Sequence, residues 1–385
     1  MELILTEEQQ AFVQSVDELG REGGVDGFAP HTGPLPKEIL RRFSARGLAG
    51  IAIPTEKGGQ GRSQLDSVLA IEAMAKRSAA AADALQALNF GAIQQIAHNG
   101  DEQQLERFLA PCLSGDLLAA PAMSEPEAGS AVTDIAASAE VVGEDVLING
   151  EKVFITHGAV ADLFVVWTKF GPGARGAGAV VVPRDAPGLT IDASRSFMSG
   201  EPYGVLKLVD CRVPAANILI PGDGFRRMLT VFNVERLGNA SRCLGYGQAA
   251  LDIAVAHLRD RRQFGRRLVE FQGLQWRIAE MALKLESARL LLYRAAAGAD
   301  AGLPSALDTA LAKLACNRAG YGVADDAMQL LGAAGYDDSS PVAFILRRTR
   351  GWMIAGGTSE QLLNRIAGEV LDERFSQRPP RASTA

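Results

Sequence analysis

The chain of 385 residues has few of the side chains from which metal centres and disulfide frameworks are built. Its four cysteines, Cys112, Cys211, Cys243 and Cys316, include no CxxC pair, and no two of its four histidines stand in an HxxxH or HxH pattern. These spacings argue against a zinc site and against a disulfide-stabilised secreted domain. We expect a protein of a reducing compartment without a bound metal.

An excess of basic charge and a long apolar run are also missing. The formal net charge is -6, with 39 basic against 45 acidic residues, which gives no support for a nucleic-acid partner. No apolar run approaches the roughly 20 residues that cross a bilayer. The first eight residues are acidic, unlike a signal peptide. We expect a cytoplasmic protein that binds neither nucleic acid nor membrane.

The distribution of apolar residues divides the chain into three domains. With 47% hydrophobic residues, the chain is long enough for its core to split. Residues 1–118 have helical periodicity, residues 119–225 consist of short β-type runs separated by turns, and residues 226–378 are helical again. Residues 379–385 have the composition of a frayed tail. The predicted fold class is α+β.

Several local elements follow from the same patterns. Asn149-Gly150 lies between two β-type runs and predicts a hairpin turn, because both residues tolerate positive φ. A stripe with alternating steps of four and three residues predicts one long helix, and it contains Leu274, Ile278, Met281, Leu285, Ala288 and Leu292. Residues 306–331 and 360–371 are predicted to form two more helices.

Four segments together indicate a family. They are 122–130 (AMSEPEAGS), 149–156 (NGEKVFIT), 261–265 (RRQFG) and 329–335 (QLLGAAG). In this order and spacing they resemble the acyl-CoA dehydrogenase family over nearly the whole chain. The resemblance implies an N-terminal helical domain, a central β-sheet domain and a C-terminal four-helix bundle. It also implies bound FAD and a homotetramer arranged as a dimer of dimers.

The segment 122–130 supplies hydroxyls and backbone amides in a loop that contains glycine, which suits the polar edge of a flavin. Phe154 and Thr156 lie two apart on a predicted strand and so share a face, where a ring can stack and a hydroxyl can donate. An ordinary turn and an ordinary strand face are the alternatives. By resemblance, the flavin-binding residues of this part are Met123, Ser124, Gly129, Ser130, Phe154 and Thr156, and Ser130 also contacts the acyl-CoA.

A second set of residues is implied to hold the adenosine diphosphate part of FAD from a neighbouring subunit. Arginine suits a diphosphate because its guanidinium donates bidentate hydrogen bonds. A solvated basic loop and a helix C-cap are the alternatives for these segments. The residues are Arg261, Gln263, Phe264, Gln329, Gly332 and Ala333, and by resemblance Thr358 and Glu360 also bind the cofactor. The chain departs from the family pattern at Ala131, where Asp is usual, and at Phe154, where Trp is common.

The segment 353–360 (MIAGGTSE) resembles the family's base-bearing loop, but Gly356 stands where many members have a catalytic Glu. Other members place that Glu on an earlier helix in a Glu-Arg pair, as the pair Glu235-Arg236 does here. We therefore predict Glu235 as the base and Arg236 as a neighbouring cation that is either structural or on the substrate side. Gly356 keeps a backbone amide for the thioester oxygen. An exposed Glu-Arg pair is the alternative reading, and Glu360 is the second candidate for the base.

The reaction implied by the resemblance is α,β-dehydrogenation of an acyl-CoA, with an electron-transferring flavoprotein as acceptor. A carboxylate removes the α-proton, and the β-hydrogen leaves as hydride to the flavin. Two alternatives remain open at this point. The chain is a base-deficient subunit of a heteromeric dehydrogenase, or it performs another flavin reaction on the same scaffold, as a reductase, desulfinase or monooxygenase.

Overall fold

The computed structural model describes residues 5–21, 27–28, 35–299, 302–373 and 375, and the predicted tail at 379–385 lies outside them. The first part of the chain is helical. Its helices are α1 (Glu7–Arg21), α2 (Lys37–Ser44), α3 (Gln64–Ala75), α4 (Ala79–Asn89), α5 (Ala92–Asn99), α6 (Glu102–Gln104) and α7 (Ala110–Leu113). Serine side chains start the two central helices. Ser63 forms a capping box with Asp66 at α3, and Ser78 accepts a hydrogen bond from Ala81 N–H at α4.

The middle of the chain forms one eight-stranded sheet. Its strands are β1 (Ala119–Ala122), β2 (Ser138–Val142), β3 (Asp145–Thr156), β4 (Leu163–Lys169), β5 (Ala177–Pro183), β6 (Leu189–Ser196), β7 (Pro202–Pro214) and β8 (Ile218–Ile220). The spatial order is β6-β7-β3-β2-β4-β5-β8, and β1 pairs in parallel with β4. The central strand β4 is buried on both faces except at its last residue, which explains its unbroken apolar run over residues 163–167.

The predicted hairpin at Asn149-Gly150 is wrong. Both residues lie inside the continuous strand β3, where the pairing with β7 shifts register between Ile148 and Gly150. The Asn149 side chain bonds both the backbone N–H and the carboxylate of Asp210 on β7, and the positive φ angles belong to Gly150 and Asp210, so the two strands form a bulge here. The chain reverses direction earlier, at Gly143 between β2 and β3.

Long helices form the last part of the chain. They are α8 (Phe225–Asp260), α9 (Gln272–Ala297), α10 (Ala306–Leu331), α11 (Ala333–Tyr336), α12 (Pro341–Trp352) and α13 (Ser359–Val370), and the short strands β9 (Arg262–Gln263) and β10 (Arg266–Arg267) form a hairpin after α8. The predicted stripe on α9 is confirmed, because its residues Met281, Leu285, Ala288 and Leu292 are buried. Within the described residues no helix is long and apolar enough to cross a membrane.

Four charged side chains, which we call the interdomain ion cluster, join the three parts. Arg348 on α12 donates to both carboxylate oxygens of Asp83 on α4, at 2.6 and 2.5 Å, and also contacts Glu201 before β7. Arg242 on α8 donates to Asp83 at 2.8 Å. Burial opposes ionisation of Asp83, but Arg348 and Arg242 hold the pKa of this carboxyl below its usual value. The cluster fixes α4 against α8 beside the site described below.

Replacing Asp83 by Ala should therefore leave two buried guanidinium groups without their shared carboxylate. We expect a loss of roughly 3–5 kcal/mol in the free energy of unfolding, measured by denaturant titration. The control is Asp252→Ala, which removes an exposed partner of Lys76 whose Nζ lies 3.6 Å away, and should cost at most about 1 kcal/mol. Equal losses in the two variants would contradict the role of the cluster.

Candidate active site

Glu235 lies on α8 and its side chain points into the protein interior against α4. Gln86 Nε2 donates to Glu235 Oε1 at 2.8 Å, and the backbone N–H of Gly91 also bonds this carboxylate. Burial raises the pKa of Glu235 to about 7, although Arg242 and these hydrogen bonds oppose the shift. The carboxyl group is therefore poised to take up or release a proton near neutral pH.

Gly91 lets the backbone approach the carboxylate closely. Its φ of +68° and ψ of -126° are open to glycine alone, and it starts helix α5. A Cβ at this position would lie 3.4 Å from Glu235 Oε2 and 3.7 Å from Pro121 Cδ. Pro121 belongs to β1 and directly precedes the predicted flavin segment 122–130, so the carboxylate lies beside the entrance to that segment.

The loop between α12 and α13 reaches the same region through its glycines. Arg236 Nε donates to Gly356 O at 3.2 Å, and its Nη1 donates to Asn233 Oδ1 at 2.8 Å. The structure thus brings Arg236 and Gly356 together, with Glu235 the preceding residue on α8. The φ angles of Gly356 and Gly357 are +73° and +98°, a turn that side chains other than glycine rarely adopt.

Lys313 on α10 supports this loop, and the sequence analysis did not identify it as a residue of the site. Its Nζ on α10 donates to Trp352 O and to Gly357 O, each at 3.0 Å, which holds both ends of the loop. The residue is fully buried, and burial together with Arg236 lowers the pKa of Lys313 to about 7. The only sequence signal is a lysine in the apolar run of residues 310–316, which is unusual for a buried helix face.

The loop 123–137 is tied to strand β3 by a buried ion pair. Val153 N–H donates to Ser124 O at 2.9 Å, and Lys152 Nζ donates to Met123 O at 3.1 Å and to Glu125 Oε1 at 2.6 Å. Glu125 also accepts the backbone N–H groups of residues 136 and 137. Glu125 and Lys152 are therefore positioning residues for the loop, which they fix beside the strand residues that precede Phe154.

Phe154 has the geometry of a side chain held out for a flat ligand. It lies where β3 shifts register against β7, between Lys152 and Ile155, and its φ of +58° is strained for an aromatic residue. The ring packs against Tyr203 at a centroid distance of 5.3 Å, yet 59% of the residue is exposed. Thr156, two residues on, is partly buried. An exposed aromatic face beside a loop rich in amides fits an isoalloxazine ring.

The residues predicted to hold the adenosine end lie on two exposed segments. Gln263 and Phe264 belong to the β9–β10 hairpin, where Phe264 is 93% exposed. Gln329 ends α10, and Gly332 has a φ of +64°. The other members of the set, Arg261 and Ala333, are exposed too, as are Gly129 and Ser130 of the flavin loop. The hydrogen bonds of the Glu235 carboxylate involve none of them, so their role between subunits stays a prediction.

Thr358 and Glu360 begin helix α13. The Thr358 hydroxyl accepts from Gln361 N–H as an N-cap. Glu360 is exposed, and hydrogen bonds from its own backbone N–H and from Thr358 lower the pKa of its carboxyl. This carboxylate lacks the buried environment that raises proton affinity, which favours Glu235 over Glu360 as the base. Among the described residues no group of three or more His, Cys, Asp or Glu could hold a metal ion.

Three family models match the chain in order. They are the N-terminal, middle and C-terminal domains of acyl-CoA dehydrogenase, and they match residues 6–116, 120–208 and 222–371. Glutaryl-coenzyme A dehydrogenase in complex with glutaryl-CoA superposes with a TM-score of 0.92 at 33% identity, covering 98% of each chain. Butyryl-CoA dehydrogenase from Megasphaera elsdenii superposes with a TM-score of 0.89 at 30% identity, covering 96% of this chain and 100% of that one.

The curated relatives of this chain are named for different reactions. A 3-sulfinopropanoyl-CoA desulfinase from Paraburkholderia xenovorans is 35% identical over 97% of this chain and 98% of its own length. A short-chain specific acyl-CoA dehydrogenase from Clostridium acetobutylicum is 33% identical over 96% and 100%. The three domain matches and the buried carboxylate beside a flavin-type loop lead to one conclusion: the chain is a flavoprotein oxidoreductase that belongs to the acyl-CoA dehydrogenase family.

Proposed function

We propose that this protein catalyses the α,β-dehydrogenation of an acyl-CoA thioester to the 2-enoyl-CoA, with Glu235 as the base. The observation that supports this most is the partly buried Glu235 carboxyl held by Gln86 Nε2 at 2.8 Å, where desolvation raises its pKa to about 7. Removal of a weakly acidic α-proton needs a carboxylate whose proton affinity has been raised by exclusion of water. The base-deficient alternative has no support from a chain with this carboxylate in place.

Each group of the site has a task in this reaction. Glu235 takes the α-proton, and bound FAD supplies the acceptor for the β-hydride. The Gly356 amide donates to the thioester oxygen, where negative charge develops as the proton leaves. Arg236 holds the Gly356 carbonyl and Asn233, so we assign its effect on the substrate to placement of this loop. Phe154 and Ser124 face the ring system.

The proposed partners follow from the family and from the exposed segments. The substrate is an acyl-CoA, which Ser130 helps to receive, and the electron acceptor is an electron-transferring flavoprotein. The hairpin with Phe264 and the turn at Gly332 are exposed in one chain, which is consistent with a homotetramer in which they complete a neighbour's FAD site. An interface that takes up a 93% exposed phenylalanine would remove this apolar side chain from water.

Desulfination of a 3-sulfinoacyl-CoA is the second candidate, because four curated relatives with 34–35% identity are named for it. A sulfinate on the β-carbon needs a cation nearby. The cations that act on Glu235 are already engaged, Arg242 with Asp83 and Lys313 with two backbone carbonyls. A buried carboxylate would also repel a second anion. This electrostatic arrangement favours dehydrogenation.

The two chemistries separate in one experiment on the purified holoprotein. Straight, branched and cyclic acyl-CoAs and 3-sulfinopropanoyl-CoA are added anaerobically, while flavin absorbance and released sulfite are recorded. We expect bleaching of the flavin by at least one acyl-CoA and no sulfite. Sulfite release without bleaching by any acyl-CoA would replace dehydrogenation by desulfination.

Replacing Glu235 by Gln keeps the shape of the side chain and removes its basicity. The rate of flavin reduction by substrate should fall at least about 100-fold, while the FAD absorbance of the purified variant stays unchanged. Glu140→Gln, at an exposed position on β2 outside the predicted site, is the matched control and should reduce at nearly the wild-type rate. A Glu235→Gln variant with normal reduction would exclude this base.

The pH dependence follows from the direction of the shift. Because the folded pKa of Glu235 is raised to about 7 and the carboxylate is the active form, kcat/KM should rise with pH through this value. At pH 6 the rate should be about a tenth of the plateau. Lys313 titrates in the same range, so Lys313→Met is measured in parallel and should keep this limb. A flat profile between pH 5.5 and 8.5 would contradict the assignment.

A further inference from the structure

We propose that Gln86 is the positioning residue of Glu235, and that its carboxamide turns from hydrogen-bond donor to acceptor when Glu235 takes up a proton. The proposal rests on the proposed role of Glu235 as the base. It assigns a function to a side chain that the sequence motifs did not mark.

The contact between the two residues is the only link of the carboxylate to helix α4 among the hydrogen bonds described. Gln86 is 6% exposed, and its Nε2 donates to Glu235 Oε1 at 2.8 Å. The N–H of Gly91 donates to the same carboxylate. Two donors from two elements hold the charged form of Glu235 in one orientation, as a base that must face its substrate requires.

The other end of the carboxamide has no such partner. Gln86 Oε1 is buried and accepts no hydrogen bond within the described residues. It faces Gly238 on α8, where a Cβ would lie only 2.2 Å from this oxygen. A buried carbonyl oxygen without a donor is uncommon in folded proteins. A glycine inside a long helix, which lowers helix propensity, here makes the room for Gln86.

Protonation of Glu235 changes what the contact requires. A carboxylate only accepts hydrogen bonds, whereas the acid has an O–H group that must donate. With Gln86 Nε2 facing the Glu235 O–H, two hydrogen-bond donors would face each other and no hydrogen bond could form. A half-turn of the carboxamide presents Oε1 to the acid and moves Nε2 to the side of Gly238.

The two orientations are balanced because each leaves one end of the carboxamide without a partner. The protonation state of Glu235 therefore decides which orientation is populated. A hydrogen bond to the charged carboxylate is the stronger of the two. Gln86 accordingly favours the charged form on balance, yet keeps the acid in place after proton transfer.

Other charged groups also face Glu235. Arg242 lies on the same helix, is paired with Asp83, and has the neutral His157 nearby, and Lys313 approaches from α10. These groups act on the charge of Glu235 without a hydrogen bond to it. Only Gln86 and Gly91 contact its carboxyl oxygens among the described hydrogen bonds. The effect of a change at Gln86 can therefore be separated from the electrostatic effect of Arg242 and Lys313.

The test is the titration of Glu235 in the resting holoprotein. Infrared difference spectra between pH values contain the carboxyl band of Glu235, identified by its absence from Glu235→Gln. We expect the pH midpoint of the Glu235 titration to rise by roughly one unit in Gln86→Met, because the charged form of Glu235 loses a hydrogen-bond donor. It should rise further in Gln86→Glu, whose ionised side chain only accepts and adds a like charge.

Gln94→Met is the matched control. Gln94 is equally buried, and its Nε2 donates to Asn89 O at 2.7 Å, away from the carboxylate. Its midpoint should equal that of the wild type. If Gln86→Met does not fold, the isosteric Gln86→Glu provides the shift. An unchanged midpoint in the Gln86 variants overturns the proposal, even if Glu235→Gln is inactive.

Kinetics separate this proposal from the proposed function. At pH 7 Gln86→Met should reduce its flavin roughly fivefold more slowly, with KM close to the wild-type value and partial recovery at higher pH. If the rate of flavin reduction falls and does not recover at high pH, Gln86 has only a structural role, and the proposal is overturned. Normal reduction by Glu235→Gln overturns the base assignment instead, whatever the Gln86 variants show.

Gly238→Ala tests the same contact from the other side. The new methyl group collides with Gln86 Oε1 and should displace the carboxamide, so the infrared midpoint should rise as in Gln86→Met. Gly322→Ala on α10 is the control, because a Cβ there meets nothing within 4 Å. Equal midpoints for Gly238→Ala, Gly322→Ala and the wild type would show that Gln86 does not set the protonation of Glu235.

Discussion

The meeting of α4, α5 and α8 around one carboxyl group is the constraint on which the site depends. A carboxylate leaves water only at a large cost, which hydrogen bonds and neighbouring cations offset in part. Gln86 and Gly91 supply the bonds, and Arg242 and Lys313 supply the positive field. The remaining cost appears as the raised pKa of Glu235, which gives the group its basicity.

Glycines make these close contacts possible. Gly91 adopts a backbone conformation that other residues avoid, and Gly238 leaves space for a side chain of another helix. Gly356 and Gly357 turn the loop over Lys313. The glycine-containing turns thus lie next to the proposed site. Buried hydrogen bonds from rigid helices and strands hold these turns in place.

Three buried charge networks hold these parts in place, and the first of them joins the domains. The interdomain ion cluster fixes α4 against α8 and α12, the pair of Lys152 and Glu125 fixes the flavin loop on the sheet, and Lys313 fixes the glycine turn. All three place cations at carbonyl or carboxylate oxygens away from water. Each network aligns groups that belong to different parts of the sequence.

The sequence by itself determined the order of helical and β regions, the long helices of the C-terminal part and the correlated pair of Glu235 with Gly356. These are local patterns of periodicity and residue type, which a single chain displays directly. The hairpin turn predicted at Asn149-Gly150 was wrong, because turns and bulges both favour residues that tolerate positive φ. Only the pairing of β3 with β7 distinguishes the two. Only the tertiary structure decided that Gln86, Gly91 and Lys313 surround Glu235, because their contacts join residues 78 to 149 positions apart, and sequence spacing contains no information about such distances.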